Sequence, residues 1–164
     1  MAAPTVFSRT QIILHWTIAV LILLQFLLSD GMSTAWRAVE RGTYTDADFT
    51  TGTVLHIVFG VSVLLLAIWR VALRLRHGAP APDPAEPKAL QMLAAIVQFV
   101  LYATLFLMPI TGMMAWGGGV IAAGEWHQAV KMVLIVAVTL HVAGALVHHF
   151  FWKTDVLKRM LGMA

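Results

Sequence analysis

Four long apolar stretches dominate the chain, at 11–28, 53–73, 89–116 and 126–152. Each reaches the roughly 18–20 residues that a helix needs to cross a bilayer. An isolated strand could not satisfy its backbone in lipid, so helices are the expected form. The pattern predicts an all-α fold, a transmembrane four-helix bundle occupying residues 1–164 as a single domain. With about 20 residues per span plus connections, the length holds no separate soluble domain. The first stretch is too long for the usual secretory h-region, and it contains Gln11, His15, Trp16 and Gln25, so it is read as a span rather than a cleaved signal. Pro109 with Gly112 predicts a kink in the third span. The connection HGAPAPDPAEP carries four prolines and reads as a short, stiff linker.

Composition agrees: 60% of residues are hydrophobic and 12% charged, against about 25% charged in soluble domains. There is no cysteine, which excludes disulfides, thiolate iron–sulfur clusters, thiolate haem ligation and covalent c-type attachment. The net charge of +3 comes from bases that flank apolar spans, so they speak of membrane topology and lipid contact and not of nucleic acid. Eight of the eleven bases (Arg9, Arg70, Arg74, Arg76, Lys88, Lys153, Lys158 and Arg159) fall on one side of the predicted membrane. Arg37 and Arg41 fall on the other, among Asp30, Glu40, Asp46 and Asp48, and Lys131 lies within the fourth span. The positive-inside rule then places both termini in the cytoplasm. Trp69, Trp116, Trp126 and Trp152 lie at predicted span ends, as an aromatic belt would.

Apart from His148 and His149 at the inner end of the fourth stretch, four of the seven histidines lie inside spans, where a polar ring is costly and marks function. His127 and His141 are 14 residues apart on one helix, close to four turns, so they share a face about 21 Å apart. No single ion or cofactor bridges that gap, and two sites at two depths follow. His15 and His141 fall toward the cytoplasmic side, His56 and His127 toward the outer side. Two histidine pairs are the ligand set of bis-histidine haem b, held without covalent attachment in a bundle core. Two other readings stay open on the residues alone. Intramembrane histidines also serve as interhelical hydrogen-bonding groups. A metal transporter is the third reading, though it usually wants carboxylates within its spans, where none lies deep. Gly60 and Gly144, one turn after His56 and His141, leave room for a flat macrocycle or for another helix. Lys131, one turn after His127, is a candidate for a propionate or anion contact, and His148 for a propionate or a quinone head group. His77 reads as a solvated residue at a helix end.

The sequence resembles the bacterial (prokaryotic) cytochrome b561 family from about 9 to 160. The residues that carry the likeness are His15-Trp16, LHIVFG and RVALRLR, LYATLFLMPITG, and EWHQ with LHVAGALVHHFFWKTDVLKRM. The resemblance implies a multi-pass protein of the bacterial inner membrane holding two haem b groups on His15, His56, His127 and His141. It also implies electron transfer between a periplasmic donor, a small molecule or a redox protein, and ubiquinone. One branch of the family is of the superoxide oxidase type. Related cytochrome b subunits instead serve a partner enzyme without a substrate of their own.

Overall fold

The computed structural model describes residues 4–82 and 86–163, so part of the proline-rich linker lies outside the described residues. Six helices follow in order: α1 (Arg9–Leu27), α2 (Asp30–Glu40), α3 (Thr51–His77), α4 (Lys88–Trp116), α5 (Ile121–Phe150) and α6 (Val156–Leu161), with a 3-10 turn at Asp46–Asp48. No strand occurs among the described residues. Helices α1, α3, α4 and α5 are each long and apolar enough to cross a membrane.

Local chemistry sets the helix ends. Ser8 caps α1: its hydroxyl accepts from the Gln11 backbone N–H at 3.3 Å, and the Gln11 side chain accepts from the Ser8 N–H at 2.9 Å. Helix α3 runs to His77, one turn past the predicted end at 73. Arg74, Arg76 and His77 occupy that last turn, where the helix dipole favours cations and long side chains lift their charge toward water. Gly78, at φ 73°, then ends the helix in a conformation that suits glycine. Helix α5 begins at Ile121, five residues before the predicted start, and leaves a tight turn after α4 with Gly119 at φ 66°.

The packing inverts that of a soluble protein. A small core of Ile18, Val63, Ala67 and Leu105 joins α1, α3 and α4, flanked by Leu21, Tyr102 and Phe106. Most other large apolar side chains point outward: Leu65 is 61% exposed and Phe99 72%, as expected of surfaces solvated by lipid tails. Helices α1 and α3 pack together, as do α3 with α4 and α4 with α5. Helix α5 has no comparable packing against α1 or α3.

Both chain ends gather at one end of the bundle, the terminal end. Trp16 donates its indole N–H to the Met160 carbonyl at 2.9 Å, which seats α6. Gln11 is buried there; its amide donates to the Gly78 carbonyl at 3.1 Å, and its own backbone carbonyl accepts from Arg70 at 2.7 Å. These bonds tie the start of α1 to the close of α3. The opposite, far end carries the 29–52 connection, which the sequence pattern leaves as a loop. Most of it is helical. Asp30 sits in the first turn of α2 and Arg37 in the last, complementing the dipole. Ala35 is buried, and Gly31 lies close against Gly52 of α3. Trp116, expected in a lipid-facing belt, instead packs against this connection, stacked on Phe49 at 6.1 Å and edge-on to Tyr44 at 5.7 Å. Trp69 stands eight residues before the end of α3 and is exposed. Pro109 lies inside α4, which continues through it to Trp116.

Candidate functional site

The four intramembrane histidines meet in two pairs. His15 of α1 faces His141 of α5 with ring centroids 6.0 Å apart and planes at 62°. His56 of α3 faces His127 of α5 at 6.3 Å and 61°. Both pairs therefore bridge helices that do not pack on each other, and α5 contributes one ring to each. The first pair lies toward the terminal end and the second toward the far end.

This spacing can be checked against metal geometry. Metal–imidazole bonds measure about 2 Å, and a ring centre lies about 1 Å behind its bonding nitrogen, so two imidazoles on opposite faces of one ion have centres about 6 Å apart. Both pairs meet that figure. No group of three or more His, Cys, Asp or Glu side chains that could hold a metal occurs among the described residues. Two protein ligands per site are too few for a structural zinc ion, which takes four. They suit a cofactor that brings its own equatorial ligands, as haem does. The residues present fit haem on three counts: the gap beside α5, the ring spacing and the imidazole donor set.

The far-end pair is the more elaborately held. His127 turns Nδ1 away from its partner: that nitrogen lies 2.9 Å from the Met108 carbonyl and 3.2 Å from the Thr111 hydroxyl. The carbonyl can only accept, so Nδ1 carries the proton and Nε2 keeps its lone pair for a metal. Gly112 makes this bond reachable, because a Cβ there would sit 3.3 Å from the His127 ring. Gly124 plays a similar part: Trp36 of α2 occupies the space where a Cβ would be, within 2.7 Å of its Cε2. Trp36 also donates to Glu40 at 2.8 Å. A cavity between the helices is lined by His56, His127, Gln25, Gly60, Trp36 and Lys131. Lys131 thus stands in the same cavity as the pair, as its spacing of one turn from His127 predicts.

The terminal-end pair is barer. Neither ring of His15 or His141 makes a hydrogen bond among the described residues, and His15 rests edge-on against Trp16 at 5.2 Å. Gly144 has no atom within 4 Å of a built Cβ, so the backbone of α5 is open there. That open strip lies one turn from His141, where a macrocycle needs room. Gly60, by contrast, faces the Gln25 amide at 3.2 Å. Arg70 is within electrostatic reach of both rings.

His148 does not stand free for a ligand. Its Nε2 is 3.1 Å from Glu86 Oε1, with both side chains largely buried, and its Nδ1 is 3.2 Å from the Thr154 hydroxyl. His77 is exposed, with Nδ1 3.3 Å from the Leu73 carbonyl. Gln25, Trp36, Thr111 and Glu86 escaped the sequence reading as site residues. A signal existed for Gln25, a polar residue within an apolar span like the histidines themselves. None existed for Trp36 or Glu86, which reach the site only through tertiary packing.

The family model described as prokaryotic cytochrome b561 matches residues 6–163. The chain is 32% identical to "Cytochrome b562" of Cereibacter sphaeroides over 155 residues, covering 94% of each protein. It is 23% identical over 177 residues to "Probable superoxide oxidase CybB" of Yersinia pestis, covering 94% of this chain and 95% of that one. It is 26% identical over 170 residues to "Cytochrome b561 homolog 2" of Escherichia coli, covering 90% and 87%. Matched from end to end, and carrying paired histidines on four apolar helices, the chain belongs to the prokaryotic cytochrome b561 family of haem-binding membrane electron-transfer proteins.

Proposed function

We propose that this protein is a di-haem b cytochrome of the bacterial inner membrane, with His15 and His141 holding one haem and His56 and His127 the other. The observation that carries the reading is the recurrence of one geometry, 6.0 Å and 6.3 Å, at two places on the same helix. The 14 residues between His127 and His141 set the two sites about 21 Å apart along α5. The charge asymmetry supports placing the terminal end in the cytoplasm and the far end in the periplasm.

Haem, when bound, would supply one-electron chemistry. The chain's own residues do the rest. His15 and His141 would hold one haem and His56 and His127 the other, each through a ring nitrogen. The Met108 carbonyl fixes the tautomer of His127 and makes the ring a stronger donor. Lys131 and Arg70 set one positive charge near each pair, and Lys131 also suits a propionate or a small anion.

The overall reaction we propose takes electrons from a small periplasmic donor or redox protein and delivers them to ubiquinone. With superoxide as donor, two superoxide ions each lose one electron to give oxygen, and ubiquinone gains both electrons and two protons. The name of the Yersinia relative supports that donor. The more similar Cereibacter relative is named only as a cytochrome, and the alternative is an electron carrier that serves a partner protein without a substrate of its own.

A visible spectrum and a haem assay on the purified protein test the ligand reading: two low-spin b haems per chain are expected, and none would overturn it in favour of a transporter. Stopped-flow mixing with superoxide, then with a ubiquinone, tests the donor. Haem reduction by superoxide is expected; no reduction leaves the carrier reading.

A further inference from the structure

We infer that Gln25 is a positioning residue for His56, its side-chain carbonyl serving as acceptor for the imidazole Nδ1–H. This rests on His56 being a haem ligand, as proposed above.

Among the described residues, the enclosed side-chain polar atoms without a hydrogen-bond partner include Gln25 Oε1 and His56 Nδ1. One is an acceptor and the other, in the right tautomer, a donor. Their residues are already joined, because the Gln25 amide nitrogen donates to the His56 backbone carbonyl at 3.0 Å. That bond fixes which way round the amide sits, since a flipped amide would set two carbonyl oxygens against each other. The amide oxygen is therefore held beside the residue whose ring nitrogen lacks a partner. A bond between them would satisfy both atoms at once, and terminal side-chain torsions are soft. Gly60 keeps the amide in place from the other side, with a Cβ position 3.2 Å from its nitrogen.

The partner ring shows what the bond does. His127 has its Nδ1 on the Met108 carbonyl, and a metal-bound histidine almost always donates its second N–H to such an acceptor. His56 lies on α3, and among the described residues its Nδ1 has no such acceptor. A glutamine reaching across from α1 supplies the acceptor that α4 supplies to His127. With Nδ1–H donated, Nε2 is the nitrogen left for iron, and the ring becomes a better donor to the ferric state.

Redox titration and low-spin electron paramagnetic resonance of the full-length holoprotein test this, with the terminal-end haem as internal reference. Gln25→Leu removes both bonds. It should shift the far-end haem about tenfold toward the ferrous form, ~59 mV for one electron, and move its g values while the terminal-end haem stays put. Gln25→Glu keeps an acceptor for Nδ1–H, so its far-end haem should not move toward the ferrous form as that of Gln25→Leu does. Gly60→Ala displaces the amide and should shift the same haem in the same direction by less. A Gln25→Leu protein with both haems and unchanged potentials overturns the inference, as does a Gln25→Glu shift equal to that of Gln25→Leu. Should Gln25→Leu fail to fold, Gly60→Ala and Gln25→Glu decide it: a Gly60→Ala potential equal to wild type counts against it. A wild-type protein without a far-end haem overturns the ligand reading itself, and the wild-type spectrum separates the two failures.

Discussion

The two histidine pairs share a spacing and an interplanar angle but almost nothing else. The far-end pair is braced from several sides. A backbone carbonyl and a hydroxyl hold His127, a glutamine reaches the His56 backbone, and two glycines let a histidine and a tryptophan pack close. The terminal-end pair stands on helix placement alone, with an open strip of backbone at Gly144. Ring spacing is thus a property of the bundle, since helices α1, α3 and α5 set it at both levels. Ring orientation and donor strength are local properties, and the chain specifies them at one level in far more detail.

Removing a ligand gives the largest effect that separates the two levels. His127→Ala should bring the haem content from two per chain to one and leave the terminal-end haem spectrum intact, and His141→Ala should do the reverse. Loss of both haems from either variant would show that the levels fold as one site. Next come the glycines. Gly112→Val pushes the His127 ring off the Met108 carbonyl and should weaken haem binding at the far end about ten- to a hundredfold, measured by competition with an apo-haem scavenger. Gly144→Leu enters open space, so the fold should survive while the terminal-end haem is displaced. Full occupancy in that variant would show that the macrocycle lies elsewhere.

Gly124→Ala meets Trp36 and should lower stability by about 1–3 kcal/mol, read as a fall in Tm. Trp36→Ala in the same chain should relieve much of that loss, which would mark α2 as a brace of the far end only. Lys131→Leu and Arg70→Leu each remove one positive charge. Each should lower the midpoint potential of its own haem, by roughly 1 kcal/mol or less, and move the other haem little; equal shifts at both haems would erase the distinction between the levels. The smallest effect expected is at Trp16. Trp16→Phe deletes the bond to Met160, worth about 1 kcal/mol, and should loosen α6 to proteolysis while both haems stay.

Much of this was legible in the chain itself. Spans were readable because lipid imposes a continuous apolar run, and α1 and α4 begin and end within two residues of the expected bounds. The ends of α3 and α5 were misjudged because charged or small residues continued the helix beyond the apolar stretch. Helix α2 went unread because it is short and amphipathic, and an outer connection with mixed charge looks like a loop. The histidine pairing was legible because phase along α5 and depth within the membrane are one-dimensional quantities. Gln25, Trp36, Met108 and Glu86 were not assigned roles, since each acts through a neighbour remote in sequence.

The sequence alone determined that four helices cross a membrane and that four histidines stand at two depths, because the bilayer turns hydrophobic length and ring position into constraints readable along a single axis. Only the tertiary structure decided which carbonyl holds His127, that Gln25 reaches His56, that Trp36 covers Gly124, and that His148 is taken up by Glu86. Those contacts depend on how helices are rotated and spaced around the bundle, and hydropathy carries no record of rotation once lipid accepts apolar side chains on almost every face.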